Sequence, residues 1–106
     1  MKKQIILLVF ILLPVMASAY DTKINGIYYN FSGNEAIVTY QKYDDYYFIS
    51  DYTGNIVIPE SITYNGNTYS VTKIGDCAFG NCSGLTSVTI PNSVITIARS
   101  AFSGCI

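Results

Sequence analysis

Two stretches near the end of the chain share one pattern: VTKIGDCAFGNC (residues 71–82) and VITIARSAFSGC (residues 94–105). They superimpose at an offset of 23 residues, which aligns five positions. The aligned pairs are Val71 with Val94, Ile74 with Ile97, Ala78 with Ala101, Phe79 with Phe102 and Cys82 with Cys105. A fixed period of this length is typical of repeat proteins, in which each repeat is one structural unit that stacks on the next.

The repeat extends into the segments that precede each stretch. In SGLTSVTIPNS (residues 83–93) and GNIVIPES (residues 54–61), the pattern V/I-x-I-P recurs at an offset of 32 residues. The earlier unit therefore carries nine more residues, which TYNGNTYS (residues 63–70) can accommodate as a hairpin turning at Asn-Gly. The alignment predicts one complete unit, a modified, longer unit before it and a last unit cut after its first half.

Each unit has two halves with different periodicity. Val88 and Ile90 alternate with Ser87 and Thr89, which predicts a short strand, and Pro91 ends it because proline cannot donate to a continuing ladder. In the second half, the spacing of the Ala-Phe pair and the following cysteine suits a single helical turn. We therefore predict 23-residue units of a short strand plus a helical or irregular corner.

A single unit of this kind cannot bury its own apolar edge, so the units are expected to stack as a solenoid. Strand spacing of about 4.8 Å would place Phe102 over Phe79 in a continuous column. We interpret Phe79, Phe102, Ile90 and Leu85 as core residues without a chemical role. Phe102 itself would have no following unit to cover it, so residues 20–106 are expected to be marginally stable or to associate through this end.

The sequence resembles the BspA-type leucine-rich repeats of surface and secreted proteins from anaerobic bacteria and some mucosal protists. The resemblance is carried by GLTSVTIPNSV (residues 84–94), KIGDCAFGNC (residues 73–82) and SAFSGC (residues 100–105). One departure is Ala98, which stands where the earlier unit has Gly75. A turn with positive φ at this position would be less comfortable for alanine than for glycine.

The residues before the repeats read as strands joined by turns. GIYYNF (residues 26–31) and EAIVTY (residues 35–40) flank Ser32-Gly33-Asn34, where Gly33 can take positive φ. INGIYYNFSGNEAIVTY (residues 24–40) also resembles the segment that precedes such repeats. The predicted fold is mostly β, with an N-terminal antiparallel β cap that covers the end of the solenoid.

The chain begins with MKKQIILLVFILLPVMASA (residues 1–19), a basic start, an apolar run and a small-residue triplet. This is the pattern of a secretory signal peptide, and Pro14 interrupts the run that a membrane anchor would need. We predict residues 1–19 as a signal peptide, 20–55 as the cap and 56–106 as truncated repeats. The mature chain is then secreted or at the cell surface and has no transmembrane segment.

Composition disfavours nucleic acid and catalysis. After residue 19 the chain has four basic and seven acidic residues, so it would not attract phosphate backbones. It has no histidine, so it lacks the base that usually activates a serine or cysteine nucleophile. For the same reason it cannot bind a metal ion through histidine. Asp44 and Asp45 are adjacent on a predicted turn, where neither would be desolvated. We expect no enzyme, catalytic residue, cofactor or metal site.

The stretch KYDDYYFISDY (residues 42–52) leaves an alternative open. Its tyrosines could stack on sugar rings, and Asp44, Asp45 and Asp51 could coordinate calcium. No glycine-punctuated calcium loop is present, and alternating tyrosines are ordinary in a two-faced sheet, so we favour the structural interpretation.

The three cysteines cannot all pair within one molecule. Cys82 and Cys105 occupy the same position in consecutive units, with Cα atoms about 5 Å apart if the units stack. That distance permits a disulfide, but parallel inward side chains suit its torsion poorly, so we favour buried thiols. Cys77 lies outside the repeated pattern and is the more exposed candidate.

The outward positions of the strands are the candidate ligand-facing residues: Asn55, Val57, Ser87 and Thr89. Stacked strands present such residues in rows suited to protein or glycan ligands. The resemblance implies adhesion to host extracellular-matrix proteins or other cells. The alternative is a structural spacer that presents a domain beyond residue 106.

Overall fold

The computed structural model describes residues 19–43 and 45–104. The predicted signal peptide, except for its last residue, lies outside these residues, as do Asp44, Cys105 and Ile106. Within the described part of the chain, all regular structure is β, and no helix has the length and apolar character needed to cross a membrane. The mostly β prediction is therefore confirmed.

The described strands follow one another with short connections. They are β1 (Thr22–Ile24), β2 (Ile27–Ser32), β3 (Glu35–Thr39), β4 (Lys42–Tyr43), β5 (Phe48–Ile49), β6 (Gly54–Val57), β7 (Ser61–Tyr64), β8 (Asn67–Ile74), β9 (Leu85–Thr89) and β10 (Thr96–Ile97).

The N-terminal strands β1, β2 and β3 form an antiparallel meander. Asn25 and Gly26, with φ of 50° and 85°, make the first turn, and Gly33, with φ of 63°, opens the second. These left-handed positions match the twist of two-residue hairpins, which explains why Asn-Gly and Gly-Asn stand there. The predicted antiparallel pairing of the cap agrees with this arrangement.

The third strand of the meander also pairs with the repeats, which the sequence did not suggest. β3 runs parallel to β8, with Ala36 opposite Val71 and Val38 opposite Ile74. All four side chains are buried, so the pairing is driven by apolar residues of both strands. The cap and the first repeat unit consequently share one sheet.

The additional residues of the longer unit form the predicted hairpin. β7 and β8 pair antiparallel around Asn65 and Gly66, with φ of 51° and 81°. This is the geometry that Asn-Gly favours between two strands. The insertion thus lengthens β8 without disturbing its last residues, which continue into the repeat.

Parallel strand pairs bring successive units together in the predicted alignment. Thr96 and Ile97 of β10 lie opposite Lys73 and Ile74 of β8, an offset of 23 residues. β6 and β9 pair in parallel at the offset of 32 that aligns their V/I-x-I-P patterns. The rings of Phe79 and Phe102 stack with centroids 5.1 Å apart and planes 8° from parallel, as predicted.

The corner was predicted to be helical or irregular, and the helical alternative was wrong. Residues 75–82 form consecutive tight turns, with Ala78 N–H bonded to Gly75 O and Gly80 N–H bonded to Cys77 O. Cys77 and Asn81 have φ of 59° and 57°, and such left-handed residues interrupt a right-handed helix. Each corner instead bonds to the next one, because Phe79 N–H donates to Ala101 O at 2.8 Å and Asn81 N–H donates to Ser103 O at 2.8 Å.

Glycine is required at position 75 for a different reason from the one expected. Gly75 does not have positive φ. A Cβ there would lie 3.1 Å from Val38 O and 3.2 Å from Ile37 Cγ2. Close approach of β3, rather than a left-handed turn, therefore favours glycine at position 75. At the equivalent position, Ala98 N–H donates to Ile74 O of β8 at 2.9 Å, so alanine tolerates the corresponding contact there.

The core runs between the two sets of parallel strands and contains Phe79, as predicted. Leu85 and Phe102 are partly buried against it. Ile90 is 38% exposed, so its prediction as a core residue was wrong. Its equivalent Ile58 is buried, and Ile58 N–H donates to Thr89 O of the next strand, whereas no described strand follows β9 in that sheet.

Candidate functional site

The four predicted ligand-facing residues lie on one exposed face formed by β6 and β9. Asn55 is opposite Ser87 and Val57 is opposite Thr89 in the parallel register. All four side chains are exposed, while the alternating Ile56 pairs with Val88 and packs toward the core. We call the exposed residues Asn55, Val57, Ser87 and Thr89 the strand face. Their placement agrees with the period-two pattern, whereas ligand binding by them stays a prediction.

A β-bulge adds Thr86 to this face, which sequence reasoning missed. The register shifts by one residue between Gly54 and Asn55, so Thr86 has no partner on β6. The hydroxyls of Thr86 and Ser87 both donate to Asn55 Oδ1, at 2.7 and 2.8 Å. These two bonds hold the Asn55 side chain against β9, and its amide N–H groups remain as donors at the surface.

One sequence feature could have indicated the bulge. Gly84 and Pro91 are separated by seven positions, whereas Gly54 and Pro59 are separated by five. Two parallel strands with unequal spacing between matching ends must accommodate extra residues in one strand. This difference of two residues indicates an irregularity in β9, but it gives neither its size nor its place, because Gly54 pairs with Leu85 rather than Gly84 and the register shifts by one residue.

The strand face continues into a cleft of about 310 Å³ between β6, β7 and the first hairpin. Val57 belongs to both surfaces, and the other apolar walls are Ile24, Ile27 and Ile62. Asn25, Ser61 and Thr63 provide polar groups around it. No charged residue lines the described cleft, so it suits an uncharged, partly apolar group.

Tyr29 also lines the cleft and adds no charge at neutral pH. Its side chain is fully buried, and this burial raises the pKa of its phenol to about 12. Burial penalises the phenolate, because the charged form loses its hydration. A phenol with the ordinary tyrosine pKa is already neutral at physiological pH, so the raised pKa only extends this neutrality to more alkaline conditions.

The acidic residues weighed as calcium ligands do not form a described metal site. Asp51 accepts a hydrogen bond from the Tyr28 hydroxyl at 2.9 Å and lies 4.0 Å from Lys23 Nζ. Asp45 lies on the turn between β4 and β5, and Asp44 lies outside the described residues. Among residues 19–43 and 45–104, no group of three acidic or thiol side chains is placed to hold a metal ion.

The two described cysteines differ in environment. Cys82 is buried, with Sγ 3.6 Å from Gly80 O, in line with the predicted buried thiol. Cys77 is partly exposed, and burial together with the neighbouring Asp76 raises its thiol pKa. A raised pKa favours the unreactive thiol. The predicted ladder of Cys82 with Cys105 reaches beyond the described residues.

Solved structures with the same fold come from Bacteroides. A leucine-rich repeat protein from Bacteroides ovatus is 32% identical, with a TM-score of 0.65 over 78% of this chain and 21% of that one. A leucine-rich repeat protein from Bacteroides capillosus is 32% identical, with a TM-score of 0.63 over 79% of this chain and 58% of that one. The chain thus spans about a fifth of the first relative and under three fifths of the second.

A family model agrees with these structures. No curated protein shows significant similarity to the sequence. The model described as "BspA type Leucine rich repeat region (6 copies)" matches residues 41–106, which is more than half of the chain. The match includes both parallel strand pairs at repeat spacing and the stacked Phe79 and Phe102. The chain therefore belongs to the BspA-type leucine-rich repeat family.

Proposed function

We propose that the protein is an exported interaction module whose strand face binds protein or glycan ligands. The observation that carries this proposal is the alignment of four exposed, uncharged side chains on two parallel strands, continuous at Val57 with an apolar cleft. Binding surfaces combine a buried apolar anchor with polar groups around it. The cleft favours protein ligands that present an apolar side chain, host extracellular-matrix proteins among them.

Export is part of the same proposal. Residues 1–19 have the charge and hydropathy pattern of a cleaved signal peptide, and relatives of this repeat type are generally surface or secreted proteins. A secreted or cell-surface location would expose the strand face to ligands outside the cell. N-terminal sequencing of the protein recovered from its native host tests this part, and an intact Met1 would contradict it.

A solid-phase binding assay tests the ligand-binding role. Purified protein is titrated over immobilised matrix proteins and over other cells, alongside the variants Val57→Asp and Ser87→Asp. Each substitution places a charge on the strand face, and burying an unpaired charge at an interface is costly. We expect at least tenfold weaker binding for either variant.

The matched control is Thr96→Asp, which adds the same charge at an exposed position of β10, in another sheet than β6 and β9 and outside the lining of the cleft. It should bind like the unmodified protein. The proposal is wrong if the unmodified protein binds nothing above background, or if the strand-face variants bind as well as Thr96→Asp.

A second candidate is a structural spacer that holds another domain away from the cell surface. The greater length of the two solved relatives favours it, because this chain covers 21% and 58% of them. A spacer needs length and stiffness but no particular outward side chains. It predicts that strand-face substitutions leave adhesion unchanged, while changing the number of units alters it.

A further inference from the structure

A second surface, separate from the strand face, is formed by the hairpin of β4 and β5. We call residues 42–43 and 45–49 the tyrosine hairpin. Tyr43, Tyr46 and Tyr47 are 51%, 82% and 62% exposed, the largest group of exposed aromatic side chains in the described chain. Large aromatic side chains gathered at a surface mark an interaction site, because each leaves apolar ring area in water.

The tyrosine hairpin is held in place rather than loosely attached. Phe48 lies between Tyr40 and Tyr43, with ring centroids 4.8 and 4.7 Å away. The Tyr43 hydroxyl donates to Asp45 O at 3.1 Å across the turn. Contacts made before a ligand arrives reduce the entropy lost on binding.

Its base is bonded to the first repeat corner. Gln41 N–H donates to Ile49 O and also approaches Ser50 Oγ, at 2.9 and 3.1 Å. The Ser50 hydroxyl in turn donates to Ala78 O at 3.1 Å. The aromatic rings are therefore placed at a defined position beside residues 78–81.

A shallow pocket of about 270 Å³ lies between the hairpin and this corner. Tyr47 and Phe48 give it aromatic walls, and Gly80 leaves one side without a side chain. Asn81, an exposed residue, also lines the pocket, and its side-chain oxygen lies beside Gly104. The left-handed Asn81 is fixed by its N–H bond to Ser103 O, at 2.8 Å. None of the described residues that line the pocket is charged.

We propose that this pocket and the adjoining tyrosines bind a neutral oligosaccharide. A sugar ring has an apolar C–H face and a rim of hydroxyl groups, so it needs a flat aromatic surface and groups that both donate and accept hydrogen bonds. Tyr47 and Phe48 provide the first, and the Asn81 amide provides the second. Tyr46 and Tyr43 extend the aromatic surface beyond the pocket for neighbouring sugar units.

The chemistry of the lining favours this class over charged ligands. An anionic glycan or a phosphate would require a cation in the pocket, and none lines it. The pocket volume is near the lower limit of small-ligand sites, about 300 Å³, which suits one sugar ring in the pocket with others outside. The site shares no residue with the strand face or its cleft.

The test is affinity electrophoresis and calorimetric titration of the full protein with neutral polysaccharides and their oligomers: glucans, xylans, mannans and N-acetylglucosamine oligomers. At least one class should retard the protein. Tyr47→Ala and Asn81→Gly should each weaken that binding tenfold or more, and Tyr46→Ala about threefold. Glycine at position 81 keeps the left-handed backbone and removes only the amide.

Ile95→Ala is the matched control, because Ile95 is as exposed as Tyr46 but lies outside the hairpin. It should leave saccharide binding unchanged. The proposal is overturned if no neutral saccharide binds, or if Tyr47→Ala and Asn81→Gly bind the saccharide like Ile95→Ala. It is likewise overturned if Tyr47→Ala and Asn81→Gly weaken the binding of protein ligands but not of saccharides, since the hairpin would then be a protein-binding surface.

Discussion

Two copies of the same pattern, residues 71–82 and the described residues 94–104, differ in burial at several equivalent positions. Ile74 is fully buried between β3 and β10, whereas the equivalent Ile97 is 50% exposed. Phe79 is fully buried, whereas Phe102 covers it on one side and is itself only partly buried. Among the described strands, the first copy has a neighbour on both sides and the second on one side, so the neighbour rather than the residue determines burial.

The N-terminal side of the first copy shows how an end can be closed. The ring of Tyr52 packs on Phe79 at a centroid distance of 4.6 Å, and Tyr28 packs on Tyr52 at 5.6 Å. Tyr52 thus continues the aromatic column where the repeat pattern stops. Its hydroxyl satisfies backbone groups of the meander, which a phenylalanine could not do.

The largest expected effect comes from truncating the two stacked rings. Phe79→Ala should lower the free energy of unfolding by about 3–5 kcal/mol, because it leaves a cavity in a closed core. Phe102→Ala should cost less than half as much, because its ring is partly solvated. Urea denaturation of both variants measures the difference, and equal losses would contradict the comparison.

The closed end of the aromatic column is tested by removing one oxygen. In Tyr52→Phe, Tyr28 N–H and Thr39 O lose hydrogen bonds of 2.9 and 2.8 Å inside the core. Buried groups left unpaired cost about 1–3 kcal/mol. Tyr28→Phe is the control, since its bond to Asp51 is partly exposed and water can replace it, and we expect about 0.5–1 kcal/mol. A smaller loss for Tyr52→Phe would argue against this role.

Alkaline pH should weaken the N-terminal region in particular. Burial raises the pKa of Tyr29 from 10.0 to about 12, so the folded chain keeps a proton that the unfolded chain loses. This contribution is intact below pH 10 and is lost as pH rises toward 12, reaching about 2 kcal/mol at pH 12. Unfolding free energies measured from pH 8 to 12 should fall less steeply for Tyr29→Phe. Identical slopes would show that Tyr29 does not titrate this way.

The smallest effect concerns the glycine that distinguishes the two copies. Gly75→Ala should cost about 1–2 kcal/mol, because the new Cβ would crowd Val38 O and Ile37 Cγ2 of β3. Ala98→Gly should cost about 0.5–1 kcal/mol, through greater freedom of the unfolded chain alone. Thermal melts of both variants provide the measurement. A stabilising Gly75→Ala would mean that β3 can move away without loss.

Local patterns predicted the features that depend on neighbouring residues. The turns at Asn65-Gly66 and Gly33 follow from backbone preference, and the outward position of Ser87 follows from alternation. Stacking of Phe79 on Phe102 follows from the 23-residue period, because equal positions in stacked units must meet. The strand face was therefore located from the sequence.

Other features depend on contacts between distant segments. The parallel pairing of β3 with β8 joins residues more than thirty positions apart, and no local pattern indicates it. The apolar residues of the corner are spaced as in a helical turn. In the structure, hydrogen bonds from the Phe79 and Asn81 N–H groups to the next corner favour separate tight turns. The pocket beside the tyrosine hairpin was missed for the same reason, since β5 and residues 80–81 meet only in the fold.

The sequence by itself determined the repeat length, the side of each strand that faces outward and the hairpin turns, because φ preference and side-chain alternation act within a few residues. Only the tertiary structure decided which copy of Ile74 and Ile97, or of Ile58 and Ile90, is buried. A side chain is buried only when another segment of the chain packs against it, and the identity of the residue does not specify that segment.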